Sequence, residues 1–489
     1  MKTGAVSVWI QHNLVYLLTG VLGLWMIIGY NKQVRVEKEG LKKLRVFMDY
    51  LDTVVYQYTI SQSVEEAVQE ALEGTGEEIR DVIEDIYEAL LEEDEEKIRG
   101  CKGKYEYSFF FQFLIYSHLA IVYGDNSQNS MYISNLMFLK KQIFAWKLDR
   151  EKLIHYFQGL IFLTIVPVQC FKLIEIWAQN NLADMSRYYE QGYGIITRFL
   201  LLFLSILCYQ TVLWLRSNYE VQFHSGKTLR YIADSTLVEN CYIWWAGYHP
   251  NQVRKLSLLL RESSARITLQ EFWTTRHLVG GAALICSFVL LEPMVSLSQS
   301  YRYLFIFIGI FVTGMFYHLP VWYLSIRVRL IRLEKEDESF FFYSIAQMIA
   351  ESGEGDVLLV LEWLELAGRI FVPTLEYCMD EYMFDSEQAL EGAIHAEPFA
   401  PFDKLMNVLL VSELVGLKTA AVPLEQEKAQ FIEKRKQDNQ IRTENKGVLG
   451  RFVAFIPMTM VIGLYLIVPF ILESLMQLKE YVRQIQVGL

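Results

Sequence analysis

The side chains best placed to do chemistry are charges set inside long apolar runs. Lys172 and Glu175 stand three residues apart, on one helical face, near the end of such a run. An ion pair between them would offset part of the several kcal/mol that a lone charge costs in lipid. Snorkelling of Lys172 to the headgroups is the simpler explanation, and Arg198 and Glu292, near the ends of their own runs, take the same reading. A second set is outside those runs. Glu77, Asp81, Glu84, Asp85 and Glu88 recur at helical spacing and would project from one exposed face, available to a basic protein partner or simply to water.

Other chemistry is not written in the chain. The segment GCKGK at 100–104 has the wrong spacing for a phosphate-binding loop, and SGEGD at 352–356 lacks the lysine and the preceding strand. The eight histidines form no HxxxH or HExxH pair, and no GxSxG or Cys/His nucleophile pattern occurs. No catalytic, cofactor-binding or metal-ligating residue is therefore expected. The six cysteines include no CxxC pair and read as small core hydrophobes.

The elements that must carry these residues are membrane helices. Of 489 residues, 53% are hydrophobic and 14% aromatic, too apolar for an ordinary soluble enzyme. Runs of about 20 apolar residues, the length a bilayer core requires, fall near 10–30, 154–177, 194–215, 278–293, 303–324 and 452–473. The first has only Lys2 before it and no small-residue cleavage site after it, so it reads as a retained anchor. Lys32, Arg35, Lys38, Lys42, Lys43 and Arg45 follow it, and similar basic clusters flank the second, fifth and sixth runs. Positive flanks stay in the cytoplasm, so the amino terminus is expected outside.

The expected class is all-α: a polytopic protein with about six spans and two cytoplasmic antiparallel helical bundles. Span 10–30 leads to a first domain at 31–153, and a hairpin at 154–215 to a connector at 216–277. A second hairpin at 278–325, a second domain at 326–450, the last span at 451–473 and a short outer tail at 474–489 complete the chain. In the connector, Trp244, Trp245, Phe272 and Trp273 among arginines read as an interfacial layer.

Within the first domain Val64, Ala67, Val68, Ala71 and Leu72 recur at helical spacing, as do Ile79, Val82, Ile83, Ile86 and Leu90. Ser63 and Glu66 have the spacing of a capping box. Tyr107–Tyr123 is apolar but short, and reads as a buried cytoplasmic helix. In the second domain Phe340–Ala350, Leu358–Ala367 and a segment from Ser386 through Ile394 read as helices. The stretch from Tyr107 can be laid against that from Phe402: an apolar helix, a small turn, then an amphipathic helix ending in basic residues before a span. This pattern points to a degenerate internal duplication. The net charge of −12 is concentrated at 65–97, where fifteen acids face only Arg80 and Lys97. A chain so charged lacks the basic stripe that nucleic acid requires.

The segment EYMFDSEQALEGAIHAEPFAPFDKLMNVLLVSELVGLKTAAVPLEQEKAQFIEKRKQ, Glu381–Gln437, resembles the F-domain of type II secretion systems. That family includes the inner-membrane platform proteins of type IV and tight-adherence pili. The resemblance lies in a short helix with an Ala389–Leu390 step, a proline-containing break, a long helix leading to Gly416, and a charged helix entering the membrane. In the first copy SVEEAVQEAL matches the first piece, although no clear glycine precedes Ser61, and 216–277 has no counterpart. The resemblance implies a non-enzymatic platform in the bacterial cytoplasmic membrane, coupling a separate cytoplasmic ATPase to assembly or export of pilin-like subunits. It implies contact with membrane lipid, no cofactor, and a homo-oligomer or a second platform subunit. The alternative is a membrane permease subunit of an ATPase-driven transporter.

Overall fold

The computed structural model describes residues 2–487 apart from 93–94, 126–129, 182–184, 186–187, 190–191, 217–226, 264–266, 298–301 and 354. Over 2–15 and 286–297 only the helical backbone is described, so Glu292 lies outside the described side chains. Every element among the described residues is helical. Contacts divide the chain into two units, 1–219 with 425–489, and 220–424.

The first unit is organised by α1, Lys2–Ser61, a single helix of 60 residues. Toward its start, Leu17, Val21, Leu24, Trp25 and Ile28 point outward as a lipid-facing surface would require. Further along, Leu41, Leu44, Met48, Leu51, Val54 and Tyr58 are buried at steps of three or four residues, giving one apolar stripe. Against that stripe pack α2 (Val64–Glu73), α3 (Glu77–Leu91) and the aromatic rings of α5 (Ser108–Val122), and α4 (Glu95–Cys101) packs on α5. Phe110 and Phe113 of α5 meet Phe47 of α1, with ring centroids 4.4 and 5.9 Å apart. Every residue of α5 from Phe110 to Ala120 is buried, as expected for a core helix. Half of the capping box forms: Ser63 accepts from the Glu66 N–H, while its own N–H donates to Ser61.

From Ser130, α6 (Met131–Gln169) runs back along α1, and α7 (Phe171–Asn181) continues it after a 43° bend at Pro167–Cys170. A proline ring in a helix removes one hydrogen bond, which accounts for the break. The unit is completed by α8 (Gly192–Arg216) and by the chain beyond residue 425.

The second unit begins with α9 (Lys227–Ala233), α10 (Thr236–Tyr248) and α11 (Pro250–Glu262). These join the hairpin α12 (Leu269–Leu297) and α13 (Arg302–Ser352), where Gly280 lets the Tyr317 ring approach closely. Of the aromatics in the connector, Phe272 and Trp273 are buried core residues and Trp244 is exposed, so only part of that group can lie in a headgroup layer. The expected helix at Phe340–Ala350 is the end of the 51-residue α13. Four shorter helices follow: α14 (Val357–Ala367), α15 (Val372–Tyr382), α16 (Ser386–Ala396) and α17 (Ala400–Val415). The half-buried Glu338 carboxylate of α13 accepts from the backbone N–H groups of Arg369, Ile370 and Phe371 and so pins the α14–α15 turn. Beyond Gly416, α18 (Leu417–Met460) begins in this unit and from Glu425 belongs to the first. A π-helical segment, Val461–Ile467, and α19 (Val468–Val487) end the chain.

The two units repeat one order of elements: a long helix, three short helices, an apolar helix, and a second long helix. Met48, Leu51, Val54 and Tyr58 of α1 correspond to Ser339, Phe342, Ile345 and Ile349 of α13, all buried. Val64, Ala67, Val68 and Ala71 of α2 correspond to Val357, Val360, Leu361 and Leu364 of α14, so SVEEAVQEAL answers to α14 and not, as expected, to the helix of Ala389 and Leu390. Ile83 and Ile86 answer to Leu375 and Cys378, Ile98 and Cys101 to Leu390 and Ala393, and Phe110 to Phe402. Gly124 and Gly416, both at positive φ, follow the apolar helix in each copy. The first residue after the long helix is also at positive φ in both copies, Gly353 in the second but Gln62, at φ 59°, in the first.

Among the described residues three helices are long and apolar enough to cross a membrane, within Thr197–Arg216, Gly309–Ser352 and Leu417–Gln486, and a fourth if α6 and α7 count as one broken span. Of the other two expected spans, 10–30 and 278–293, part lies outside the described side chains.

A non-glycine residue in the left-handed region costs about 1–2 kcal/mol. Gln62→Gly is therefore expected to raise stability by up to about 1 kcal/mol, after the extra entropy of the unfolded glycine is subtracted. Thermal unfolding in detergent checks this; an unchanged or lower midpoint would show that the Gln62 turn carries no strain.

Candidate functional site

Glu175 of α7 is buried, 1% exposed, and gathers partners from four segments. The hydroxyls of Tyr16 from α1 and Tyr465 from the π-helical segment both donate to its carboxylate. The Arg198 guanidinium of α8, itself 2% exposed, lies 3.7 Å away. Arg198 also donates to the Tyr16 hydroxyl at 3.0 Å and to the carbonyls of Gly194 at 3.0 Å and Tyr189 at 2.7 Å. Lys172 is 3.8 Å from Glu175 but half-exposed, with its ammonium over the Tyr16 ring. The pair expected from spacing thus exists at the edge of a larger cluster whose buried cation is Arg198. Snorkelling describes Lys172 and does not describe Arg198 or Glu175.

Local backbone irregularities aim these groups. The bend after Pro167 turns α7 inward, and Gly194 leaves room for the Tyr189 backbone, which a Cβ would meet at 2.4 Å. The π turn between Pro457 and Pro469 widens the last helix around Tyr465, a type of bulge that recurs at functional sites. Spacing could suggest Lys172–Glu175, but nothing in the order of residues could join Tyr16, 159 residues from Glu175, or Tyr465, 290 away. Among the described residues the cluster holds one carboxylate, a guanidinium and two hydroxyl donors, and it joins four segments.

A second polar contact lies at the other end of α8. Arg216, 1% exposed, donates to Glu37 of α1 at 2.9 Å, with the Tyr30 ring 5.0 Å from its guanidinium carbon. Further along, α18 runs parallel to α6. Lys428 donates to Asn135 above the Phe138 ring, Thr443 to Asp149, and Gly450 admits Phe157, whose ring a Cβ would meet at 2.6 Å. Burial, offset only in part by Glu425, brings the Lys428 ammonium down to about 7. Burial likewise brings Lys446 down to about 8, against the opposing pull of Asp149.

The acidic residues divide. Glu77, Asp81, Glu84 and Glu88 are exposed along α3. Asp85 is half-buried and committed to Lys104 and to the Tyr105 hydroxyl at 2.8 Å. Partial burial works against ionisation, but those two hydrogen bonds hold its carboxyl below the usual range. Asp85 therefore closes the α3–α5 loop and is no part of the exposed stripe, contrary to the expectation from spacing. Glu84 accepts an exposed contact from Arg80 at 3.5 Å. Among the described residues no group of three or more His, Cys, Asp and Glu is placed to hold a metal.

No protein-family model, characterised protein or solved structure matches this chain.

Removing one partner of a buried ion pair costs about 3–5 kcal/mol, because the other charge is left uncompensated. Arg198→Met is expected to lose that much, and the double variant Glu175→Leu with Arg198→Met to lose less than the single one. Thermal unfolding in detergent measures both, and additive losses would mean the two groups are not coupled. A second expectation concerns pH. Lys428 and Lys446 release protons in the folded state near 7 and 8, whereas an unfolded lysine holds its proton to about 10.4. Between those limits the unfolded chain binds more protons, so stability rises with pH from about 7 toward about 10. In Lys428→Met that slope should flatten; an unaltered slope would exclude Lys428 as its source.

Proposed function

We propose that this chain is a non-enzymatic platform protein of a bacterial secretion or pilus-type machine, as its resemblance to the F-domain family implies. In this reading it crosses the cytoplasmic membrane six times with its amino terminus outside, and carries two F-domain-like bundles in the cytoplasm. It couples a separate ATPase to the assembly or export of pilin-like subunits, alone or with further platform copies. The observation that carries the reading is the repeated bundle: each copy is entered by one long helix and left by another, α1 and α6 in the first, α13 and α18 in the second. A push on either bundle would then travel along continuous helices to their apolar ends. The permease alternative calls for polar groups lining a path through the spans, and those around Glu175 are bonded to one another.

The exposed stripe Glu77, Asp81, Glu84 and Glu88 is the surface proposed for a basic face of the ATPase. Charge pairs of this kind act mainly on recognition and on-rate. Purification of the tagged protein in detergent, with the ATPase encoded beside it, is expected to retain the ATPase. Retention should fall at least several-fold in Glu84→Lys with Glu88→Lys, and should survive in Glu391→Lys of the second bundle. Wild-type protein that brings down neither an ATPase nor a pilin-like subunit would overturn the platform reading in favour of the permease.

A further inference from the structure

Below the apolar stretches of α1 and α6 lies a groove of about 380 Å³ whose walls include Lys38, Lys42 and Arg45 of α1 and Lys147 of α6. The two helices are antiparallel: Gln169 donates to the Thr19 carbonyl, while Met26 and Tyr30 share a core with Leu153, Phe157 and Ile161. Side chains on a helix lean toward its own amino terminus. Lys38, Lys42 and Arg45 of α1 lean toward the apolar stretch, and they line one space with Lys147 of α6.

Charge in the groove is unbalanced. Its one carboxylate is Glu151, 3.6 Å from Lys147, and Lys42 reaches out to Glu78 at 2.6 Å. Lys38 and Arg45 make no ion pair among the described residues. Leu41 and Ile154 give the groove an apolar floor, and His155 and Gln158 stand at the rim nearest the apolar stretch, where they can donate to an oxyanion. Cations that line one space over an apolar floor at the edge of a membrane-length helix suit a phosphate joined to a hydrocarbon body. The space is of small-molecule size, too small to take a partner helix.

We propose that this groove binds a phosphate group, carried by an anionic phospholipid of the adjoining leaflet. The phosphate would sit between Lys38 and Arg45, with the glycerol over Leu41 and Ile154. The inference rests on the reading that residues 31–153 lie at the inner side of the membrane. A membrane-impermeant thiol reagent on Lys38→Cys in right-side-out vesicles tests that reading separately, because labelling there would overturn the topology whatever the groove binds.

The full chain, purified in mild detergent, is titrated with phosphatidylglycerol and, in a parallel arm, with inorganic phosphate alone, and bound ligand is counted by native mass spectrometry. The lipid is expected to bind wild type and to bind Lys38→Gln with Arg45→Gln on the order of 30-fold more weakly, about tenfold or less being lost for each cation near an anionic surface. Lys141→Gln with Lys152→Gln, which removes two exposed cations of α6 outside the groove, should leave binding unchanged. Saturation by millimolar inorganic phosphate with displacement of the lipid would make free phosphate the ligand and overturn the lipid assignment. Equal losses in the two double variants, or no binding to wild type, would overturn the site.

Discussion

A backbone surrounded by hydrocarbon must satisfy its hydrogen bonds within itself, and the helices long and apolar enough to cross a membrane meet that constraint. It forces helices in the apolar stretches, and here those helices do not stop where the apolar residues do. In α1 the outward-facing Leu24 and Ile28 and the buried Phe47 and Leu51 belong to one uninterrupted helix. The same holds for α13, in which Arg302 and Phe342 share a helix of 51 residues. The short helices of each copy are then packed against the end of such a rod. In the first copy their positions follow from its apolar stripe and from that of α6, whose Leu136, Leu139 and Ile143 are buried.

Rods packed in lipid gain little from burying apolar surface against one another, because the tails are as apolar as leucine. Their register depends on close contacts at small residues and on polar pairs. Both devices recur along the first unit. Glu175 and Arg198 join α7 and α8 at one level, Arg216 and Glu37 join α8 and α1 at another, and Lys428 and Asn135 join α18 and α6 further on. Between them, Gly450 admits the Phe157 ring and Gly23 the Gln169 amide. A slip of one turn in any of these helices would strand a buried charge, which makes each pair a register mark as well as a bond.

What was legible in the sequence was what short-range periodicity encodes. The faces of α2 and α3 and the buried character of α5 follow from spacing within one helix, and the Ser63 cap from a local pair. Continuity was not legible: basic clusters after Tyr30 and before Ile154 look like boundaries, although lysines and arginines are good helix formers and the helix passes through them. The α15 helix is not among the helices read from spacing; its Pro373 lies in the first turn, where a proline has no hydrogen bond to lose. The cluster at Glu175 was half legible, since Lys172 is its neighbour in the chain while Arg198, Tyr16 and Tyr465 arrive only through packing. Asp85 shares its helical spacing with the exposed acids, and only Lys104 and Tyr105 distinguish it.

The duplication explains why the repeat is faint in sequence yet plain in three dimensions. Most matching positions keep burial without identity, as Ile98 and Cys101 against Leu390 and Ala393 and Tyr58 against Ile349 do, while Val64 and Phe110 are matched by Val357 and Phe402. Packing tolerates such exchanges when volume and pattern are held across the whole core. Exposed positions are under no such constraint and have parted further. Counting from the matched Ile83 and Leu375, Glu77, Asp81, Glu84 and Glu88 of α3 stand where the second copy has Arg369, Pro373, Glu376 and Asp380. The stripe therefore loses two acids and gains a cation, and Arg369 is itself held by Glu334 at 2.6 Å. Two bundles of one fold thus offer different charge to their surroundings. A partner that recognises the continuous acidic stripe finds it on the first bundle and not on the second, so the copies have kept a common core while ceasing to be interchangeable.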